Sequence, residues 1–336
     1  MDYRYLGRSA LKVSPLCLGA MIFGGETDEA TSRRIIDKAH DAGVNFIDTA
    51  DVYHAGRSEE FVGHAVASNR DSWVIATKFG YPTQTAQGPN EQGQSRKWIL
   101  QTVEASLKRL GTDYIDVLYF HRAVVDAPLE ESVRAIGDLI RDGKVRYFGL
   151  SNFRGWRIAE VVRLADELGI PRPVASQPLY NMVDRTAEVE QLPAAFHYGL
   201  GVVSYSPLAR GVLSGKYVVD APPPVDSRAG RGDKRIQQTE WRPESLKIAQ
   251  AVAAHAKELG TTPIALALAW VLRNRAVSAT IAGPRTEAHW DSYVEALNVQ
   301  LGPDDERFVN ALVPPGHAST PGYTDPGYPV EGRQTL

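Results

Sequence analysis

Short apolar segments recur along the chain, separated by longer segments in which apolar and polar residues mix. Most of the short segments lack an alternation of apolar and polar residues, which is typical of parallel strands buried on both faces. The pattern predicts eight strands: Pro15–Met21, Asn45–Ala50, Trp73–Phe79, Tyr114–His121, Val145–Asn152, Val174–Tyr180, Gly201–Leu208 and Ser278–Gly283.

The segments between the predicted strands have the periodicity of amphipathic helices. In Lys97–Leu110 and in Arg157–Gly169, apolar residues recur three and four positions apart, so that one face of each helix is buried. Glycine follows several of these segments at the position expected for a helix C-cap. These glycines are Gly43, Gly111, Gly143, Gly169 and either Gly199 or Gly201.

Eight strands, each followed by a helix, predict an α/β fold of the (β/α)8 TIM barrel type. An open doubly wound sheet is the alternative. The segment Tyr3–Val13 precedes the first strand and is expected to form a hairpin that closes the bottom of the barrel. We therefore expect residues 1–336 to form a single domain, with an irregular tail over 314–336.

One long connection interrupts the alternation of strands and helices. Val212–Trp241 is poor in helical periodicity and contains Pro222–Pro224 and a basic run from Arg228 to Arg235. Loops of this length in compact domains are usually functional or disordered. We interpret this segment as a lid over a bound cofactor.

Composition and charge exclude several classes of protein. The chain has 336 residues, of which 43% are hydrophobic and 23% charged, and 37 basic minus 40 acidic residues give a net charge of −3. This balance gives no reason to expect nucleic acid or a membrane surface as a partner. Cys17, the single cysteine, cannot form an internal disulfide, which is typical of a reducing compartment.

Targeting and membrane signals are also weak. The first ten residues, MDYRYLGRSA, lack the apolar segment of a signal peptide. The apolar stretch Ile264–Leu272 is about half the length that a membrane span requires. We therefore expect a cytoplasmic protein, either a monomer or a homo-oligomer.

Polar residues occupy the carboxyl ends of the predicted strands, where TIM barrels build their active sites. In chain order they are Asp48 followed by Tyr53, then Lys78, His121, Ser151 with Asn152, Gln177, Tyr205 with Ser206, and Gly283 to Arg285. Each has an ordinary structural explanation when taken alone. Together, ionisable groups that converge on one barrel mouth must be paired or hydrated, which indicates a functional site.

These strand ends lie in sequence blocks that resemble the aldo-keto reductase family over about residues 1 to 300. The branch that contains potassium-channel β subunits and many bacterial reductases is especially similar. The blocks are FIDTADVY (46–53), IATKFG (75–80), TDYIDVLYFH (112–121), GLSNF (149–153), SQPLYN (176–181) and YSPLARGVLSGKY (205–217).

The resemblance implies NADPH-dependent reduction of an aldehyde or ketone by hydride transfer. Tyr53 would donate the proton, Lys78 paired with Asp48 would lower the pKa of the Tyr53 phenol, and His121 would orient the carbonyl oxygen. The partner is then a small carbonyl compound. No histidine or cysteine spacing indicates a metal, and no G-x-G-x-x-G motif indicates a Rossmann dinucleotide site.

The resemblance also implies a set of cofactor-binding residues. Ser151, Asn152 and Gln177 would bind the nicotinamide carboxamide, Tyr205 would stack on its ring, and Arg285 would bind the 2′-phosphate that distinguishes NADPH from NADH, with NADH still possible. The full set is Ala20, Met21, Asp48, Ser151, Asn152, Gln177, Tyr205, Ser206, Pro207, Leu208, Lys216, Arg228, Gly283, Arg285 and His289. The sequence departs from the family pattern near the adenine, at Pro284, His289, Ser292 and Tyr293.

Two further functions are open, and the substrate pocket is only outlined. The same site can run in reverse, oxidising a sugar or other alcohol with NAD(P)+, or the chain can be a nucleotide-sensing regulatory subunit. The channel-binding members of the branch have asparagine in place of His121, so His121 favours turnover. Phe23, Tyr81 and Arg122, with Tyr323 and Tyr328 of the tail, are candidate pocket residues.

Overall fold

The computed structural model of the protein describes residues 1–83, 88–125 and 127–330. The strands of these ranges are β1 Arg4–Tyr5, β2 Lys12–Val13, β3 Leu16–Gly19, β4 Phe46–Asp48, β5 Val74–Phe79, β6 Ile115–Phe120, β7 Val145–Ser151, β8 Ala175–Gln177, β9 Gly201–Ser204 and β10 Val277–Ala282. Strands β3 to β10 form a closed barrel, each parallel to its neighbours, with β10 beside β3. The TIM barrel is confirmed, and the open sheet is wrong.

Helices alternate with the barrel strands along the chain, as expected. They are α1 Glu29–Asp41, α2 Arg57–Val66, α3 Arg96–Leu110, α4 Leu129–Arg141, α5 Gly155–Glu167, α6 Gln191–Tyr198, α7 Lys234–Gln238, α8 Pro243–Glu258, α9 Pro263–Arg273, α10 Glu287–Val294 and α11 Pro303–Leu312. Side chains cap several N-termini; the Ser95 hydroxyl, for example, accepts from the Trp98 N–H at the start of α3. None of the helices in the described ranges is both long and apolar enough to cross a membrane.

The chain divides into two compact units. The first comprises Met1–Pro178, Glu190–Tyr205 and Arg275–Asp291, and it contains the whole barrel. The second comprises Leu179–Val189, Ser206–Asn274 and the residues from Ser292 onward. The organisation of the chain as one domain stays a prediction.

A layer of apolar side chains fills the barrel interior. Its largest member, Tyr119 of β6, is completely buried, and its ring lies against Gly149 of β7, its register partner. A Cβ atom on Gly149 would lie 2.4 Å from a Tyr119 ring carbon, so only glycine fits there. The layer consists of Leu6, Val13, Cys17, Phe46, Val74, Ala76, Val117, Tyr119, Ala175, Val203 and Ala279.

The predicted N-terminal hairpin is confirmed and covers the amino-terminal end of the barrel. Strands β1 and β2 pair antiparallel, and the turn between them contributes Leu6 to the barrel core. Arg4 donates to the carbonyl oxygen of Val277 at 2.9 Å, and the Arg8 N–H donates to that of Gly199 at 2.8 Å. These acceptors lie at the start of β10 and just before β9, so the hairpin closes the end opposite the strand carboxyl termini.

Several predicted boundaries are wrong by a few residues. The strand predicted over Val174–Tyr180 ends at Gln177, because Pro178 has no N–H to continue the ladder. The strand predicted over Gly201–Leu208 ends at Ser204, since the chain turns at Ser206, where φ is 53°. The helix predicted over Thr286–Leu297 is α10 followed by a 3-10 helix over Glu295–Asn298.

The long connection and the tail agree with their predicted irregularity. Between Val212 and Trp241 the regular structure is the end of a 3-10 helix, Ala209–Ser214, and the five-residue α7. Residues 314–330 have irregular backbone apart from a bridge between Ala318 and Asp184. The last part of the predicted tail, 331–336, lies outside the described residues.

Candidate active site

Four polar side chains lie in or directly after adjacent strands of the barrel, within the first unit. Asp48 ends β4, Lys78 is the next-to-last residue of β5, and His121 follows β6. Tyr53 begins a 3-10 helix, Tyr53–Gly56, five residues beyond Asp48. Because strand side chains alternate, Asp48, Lys78 and His121 lie on the same barrel face as the core residues two positions earlier, one layer closer to the mouth.

Lys78 is the centre of this group. Its ammonium is 1% exposed and donates to Asp48 Oδ1, to the carbonyl oxygen of Thr49 at 2.7 Å and to the Tyr53 hydroxyl at 3.3 Å. Three contacts use all three of its donors. The structure therefore brings Asp48, Lys78 and Tyr53 together as one connected network.

His121 lies next to the Tyr53 ring. The two ring centroids are 5.8 Å apart in an edge-on arrangement. The backbone carbonyl of His121 accepts from Asn152 Nδ2 at 2.9 Å, which fixes the end of β6 against the end of β7. His121 Nδ1 is buried and has no hydrogen-bond partner within the described part of the chain.

The ionisation of Lys78 and Tyr53 is set by burial and by their mutual contacts. Burial alone would lower the pKa of Lys78, but the charges of Asp48 and Tyr53 and the hydrogen bonds to them together outweigh it and raise that pKa above the ordinary value. Burial raises the pKa of Tyr53, and the Lys78 charge opposes this only in part. Lys78 acts on the Tyr53 pKa in the expected direction, but the net shift is upward, because removal from water costs the phenolate more than Lys78 returns.

His121 is neutral at physiological pH. Burial lowers its pKa well below the ordinary value, and the cations Lys78 and Arg122 lower it further. A neutral imidazole carries one N–H donor and one acceptor nitrogen. It is thus suited to hydrogen bonding without proton transfer.

Gln177 has a contact that the sequence does not reveal. Its Nε2 donates to Asp48 Oδ2 at 2.8 Å, so both oxygens of the Asp48 carboxylate are held, one by Lys78 and one by Gln177. The two donors lie on different strands, Lys78 on β5 and Gln177 on β8, and these strands are not neighbours in the barrel. The position of Asp48 is therefore fixed across the barrel interior rather than along one strand pair.

The predicted carboxamide-binding residues lie beside this network. Asn152 Nδ2 also donates to the Ser151 hydroxyl at 3.1 Å, and Asn152 Oδ1 accepts from the Tyr205 hydroxyl at 2.9 Å. The Ser151 hydroxyl donates to the carbonyl oxygen of Gln177 at 3.0 Å. Amide and hydroxyl groups next to a partly exposed aromatic ring match the donors, acceptors and flat face of a nicotinamide carboxamide.

Other predicted cofactor residues of the first unit lie in the segments that follow β3 and β10. Met21 is 41% exposed. The two segments are connected by a hydrogen bond, in which the Arg285 carbonyl oxygen accepts from the Thr27 hydroxyl at 3.1 Å. His289 Nδ1 accepts from the Arg285 N–H at 3.4 Å. Ala20 and Met21 follow β3, Gly283 and Arg285 follow β10, and His289 lies in α10.

The remaining predicted cofactor residues belong to the second unit: Ser206, Pro207, Leu208, Lys216 and Arg228. The Lys216 ammonium lies 5.2 Å from the Tyr217 ring centroid, and Arg228 pairs with Asp233 at 3.3 Å. Tail residue Tyr323 packs under the Arg242 guanidinium, whose carbon is 3.7 Å from the ring centroid. Their contacts with a cofactor or substrate stay predictions.

The candidate pocket residues differ in exposure. Phe23 is completely buried, whereas Tyr81 and Arg122 are partly exposed. The Tyr81 ring lies edge-on to His121 with 4.8 Å between centroids. Within the described ranges, no group of three or more His, Cys, Asp or Glu residues is arranged to hold a metal ion.

A second cluster of buried carboxyl groups lies behind the first network and is missed by the sequence analysis. Asp51, which lies between Asp48 and Tyr53 in the chain, is 2% exposed and accepts from the Thr102 hydroxyl at 3.1 Å. Glu59 of α2, also fully buried, pairs with Arg109 at 2.6 Å. The only signal in the sequence is an acidic residue within the apolar segment that carries Asp48.

Asp51 is partly protonated near neutral pH. Burial raises its pKa, and the negative charge of Glu59 raises it further, to about 7, although the Thr102 hydrogen bond and the Arg109 charge act in the opposite direction. Its second carboxyl oxygen has no partner among the described residues. A proton on that oxygen removes the cost of burying a second negative charge beside Glu59.

Comparison with known proteins agrees with this geometry. The profile of the aldo/keto reductase family matches residues 15–313. The chain is 39% identical over 331 residues to "Uncharacterized oxidoreductase YrpG" of Bacillus subtilis, covering 96% of this chain and 98% of that protein. It is 40% identical over 306 residues to "Probable voltage-gated potassium channel subunit beta" of Arabidopsis thaliana, covering 89% and 92% of the two chains.

The raised pKa of Asp51 predicts how stability depends on pH. Because the folded chain holds this proton more tightly than the unfolded chain, the free energy of unfolding falls as pH rises from about 4 to about 7. Asp51→Asn removes that loss. We measure the free energy of unfolding of both proteins in urea. The value for Asp51→Asn minus that for wild type should increase by about 2–3 kcal/mol from about pH 5 to about pH 8.

Asp37→Asn, on exposed α1, is the control, since its side chain is 60% exposed. Its stability difference from wild type should change little with pH. A stability difference between Asp51→Asn and wild type that is the same at both pH values would contradict the assignment of a raised pKa to Asp51.

Proposed function

Because the chain belongs to the aldo/keto reductase family and is an NAD(P)H-dependent oxidoreductase, we propose that it reduces an aldehyde or ketone to an alcohol with NADPH and that Tyr53 donates the proton. The observation that carries the proposal is the contact between the Tyr53 hydroxyl and the buried Lys78 ammonium, itself paired with Asp48. Nicotinamide, when bound, supplies the hydride.

Tyr53 is suited to act as a general acid. A carbonyl oxygen that receives negative charge during reduction needs a proton, and a buried phenol with a raised pKa holds its proton at neutral pH. The Lys78 ammonium, 3.3 Å away, stabilises the phenolate that remains after the proton has left. Lys78 thus favours the product side of the proton transfer more than the resting state.

His121 is the proposed orienting group for the substrate. Its lowered pKa keeps it neutral, so it donates a hydrogen bond without competing with Tyr53 as an acid. The edge-on contact with the Tyr53 ring keeps the two groups side by side. A carbonyl oxygen that contacts both would be fixed in direction by His121 and protonated by Tyr53.

We propose that Ser151, Asn152 and Gln177 bind the nicotinamide carboxamide and that Tyr205 stacks on the ring. The support is chemical: their amide and hydroxyl groups adjoin each other at the ends of β7 and β8, and the Tyr205 hydroxyl is tied to Asn152. For Lys216 and Arg228 the role of phosphate ligands rests on the family resemblance. NADPH is the proposed cofactor, with NADH as the alternative.

The reverse reaction, oxidation of a sugar or other alcohol, uses the same residues with Tyr53 as base. That role requires the phenolate, and the raised pKa of Tyr53 makes the phenolate scarce at neutral pH. A nucleotide-sensing role, suggested by relatives named as channel β subunits, needs no proton donor. The proton-donor network with His121 beside it favours carbonyl reduction over both.

Removal of the Tyr53 hydroxyl tests the proton donor. Tyr53→Phe should lower kcat for carbonyl reduction by about 10²-fold to 10⁴-fold, because a general acid is lost. NADPH affinity, followed by fluorescence quenching, should stay close to that of wild type. Tyr5→Phe, in an exposed position of the hairpin, is the control and should leave kcat unchanged. Near wild-type kcat in Tyr53→Phe, with chemistry rate-limiting, would disprove the assignment.

Arg285 tests the preference for NADPH. Arg285→Ala should weaken NADPH binding by about 1.5–3 kcal/mol, as expected for a charge-assisted contact with the 2′-phosphate. NADH, which lacks that phosphate, is the internal control and should bind almost as before. Equal weakening of both cofactors, measured by titration, would assign Arg285 to another part of the nucleotide.

A further inference from the structure

Arg122 lies beside the proposed catalytic residues without belonging to their network. It directly follows His121 at the carboxyl end of β6 and is partly exposed. Its guanidinium carbon lies 4.6 Å from the Tyr81 ring centroid. The Tyr81 ring also contacts His121, whose ring is edge-on to it. The Arg122 guanidinium therefore contacts the Tyr81 ring, which in turn contacts His121 next to Tyr53.

The backbone of Arg122 is held from outside the barrel. Gln94, which is 2% exposed, donates its Nε2 to the Arg122 carbonyl oxygen, and the Gln94 carbonyl oxygen accepts from the Ser132 hydroxyl at 2.6 Å. Stacking on Tyr81 restricts the guanidinium to one plane and leaves its edge, with the N–H donors, free of the ring. The side chain is therefore held in position before any substrate binds.

Within the described part of the chain, Arg122 has no ion-pair partner. In residues 1–83, 88–125 and 127–330, no aspartate or glutamate forms an ion pair with it, and its buried Nε has no acceptor. The other cation of this region, Lys78, differs in that it is paired with Asp48. Among the residues that the structure describes, no carboxylate thus pairs with the positive charge of Arg122, which lies beside the group proposed to orient the carbonyl.

We propose that Arg122 recognises a carboxylate on the substrate, so that the preferred substrates are carbonyl compounds that also carry a carboxylic acid. The inference rests on the proposed carbonyl reduction and names its substrate class. A guanidinium edge matches the two oxygens of a carboxylate. The single charge of Arg122 balances a single negative charge, which favours the carboxylate monoanion over a phosphate close to a dianion.

Two aldehydes of nearly the same shape test this inference. In 4-carboxybenzaldehyde the ring carries a carboxylate, and in 4-carbamoylbenzaldehyde it carries a neutral amide; the 3-substituted pair varies the distance to the aldehyde. For wild type with NADPH, we expect kcat/KM to be at least about tenfold higher for the acid of at least one pair. The preference should decrease as ionic strength rises.

Substitution of Arg122 separates recognition from structural support. Arg122→Gln should lower kcat/KM for the acid by about 10-fold to 100-fold and leave the amide nearly unchanged. Arg122→Lys, which keeps the charge but loses the planar edge, should retain part of the preference. Arg154→Gln, an exposed arginine after the neighbouring strand β7, is the matched control and should keep the full preference.

Three results would overturn the inference. One is a wild-type enzyme that reduces the amides as well as or better than the acids. Another is an equal loss for acid and amide in Arg122→Gln, with NADPH affinity and thermal unfolding unchanged, which would make Arg122 a support for His121 alone. The third is a wild type that reduces none of the four aldehydes; the proposed function fails as well only if wild type reduces no other carbonyl compound. If Arg122→Gln does not fold, Arg122→Lys decides the matter, because it keeps the charge but should lose part of the preference for the acid, whereas Arg154→Gln should lose none.

Discussion

The ion pair between Lys78 and Asp48 is the interaction on which the site depends. An ammonium that is 1% exposed is costly to bury unless its charge is balanced and its three protons are bonded. Asp48, Thr49 and Tyr53 meet both requirements, and Gln177 holds the second carboxylate oxygen. Loss of any of these partners leaves a buried charge or donor uncompensated. The position of Tyr53 is thus tied to the stability of the barrel interior.

Closure of the barrel supplies the last partner of this pair. Strands β4, β5 and β8 contribute Asp48, Lys78 and Gln177, and only a closed sheet brings the end of β8 to a residue of β4. Below them the interior is apolar and packed around Tyr119, which excludes water from the lower side of the pair. Behind them, Asp51 and Glu59 add a second buried acidic layer, whose repulsion is limited by Arg109 and by a proton on Asp51. Each buried acidic group of the site is thus balanced by a cation or by a proton: Asp48 by Lys78, Glu59 by Arg109 and Asp51 by its proton.

Much of this arrangement was predictable because it follows from local patterns. Apolar strands in alternation with helices predict the barrel, and polar residues at strand ends predict which side chains meet at its mouth. Contacts across the barrel were not predictable, since nothing near Gln177 in the chain indicates that it donates to Asp48. The direction of the Tyr53 pKa was also missed, because burial depends on the whole fold, whereas its partner Lys78 is visible in the sequence. The predicted strand ends were wrong where one residue turns the chain, as Ser206 does with its positive φ.

Tyr53, His121 and Arg122, the proposed proton donor, orienting imidazole and substrate-binding cation, lie at one end of the barrel, and the proposed reaction is hydride transfer to a carbonyl carbon. The most direct test follows the hydrogen itself. Wild type is incubated with NADPH deuterated at C4 of the nicotinamide, in each of the two stereoisomers, and with 4-carboxybenzaldehyde, and the alcohol is analysed by mass spectrometry. We expect one deuterium on the carbinol carbon from one stereoisomer only, since a fixed nicotinamide presents one face. An enzyme that binds NADPH but yields no deuterated alcohol from this or any other carbonyl compound would contradict the account.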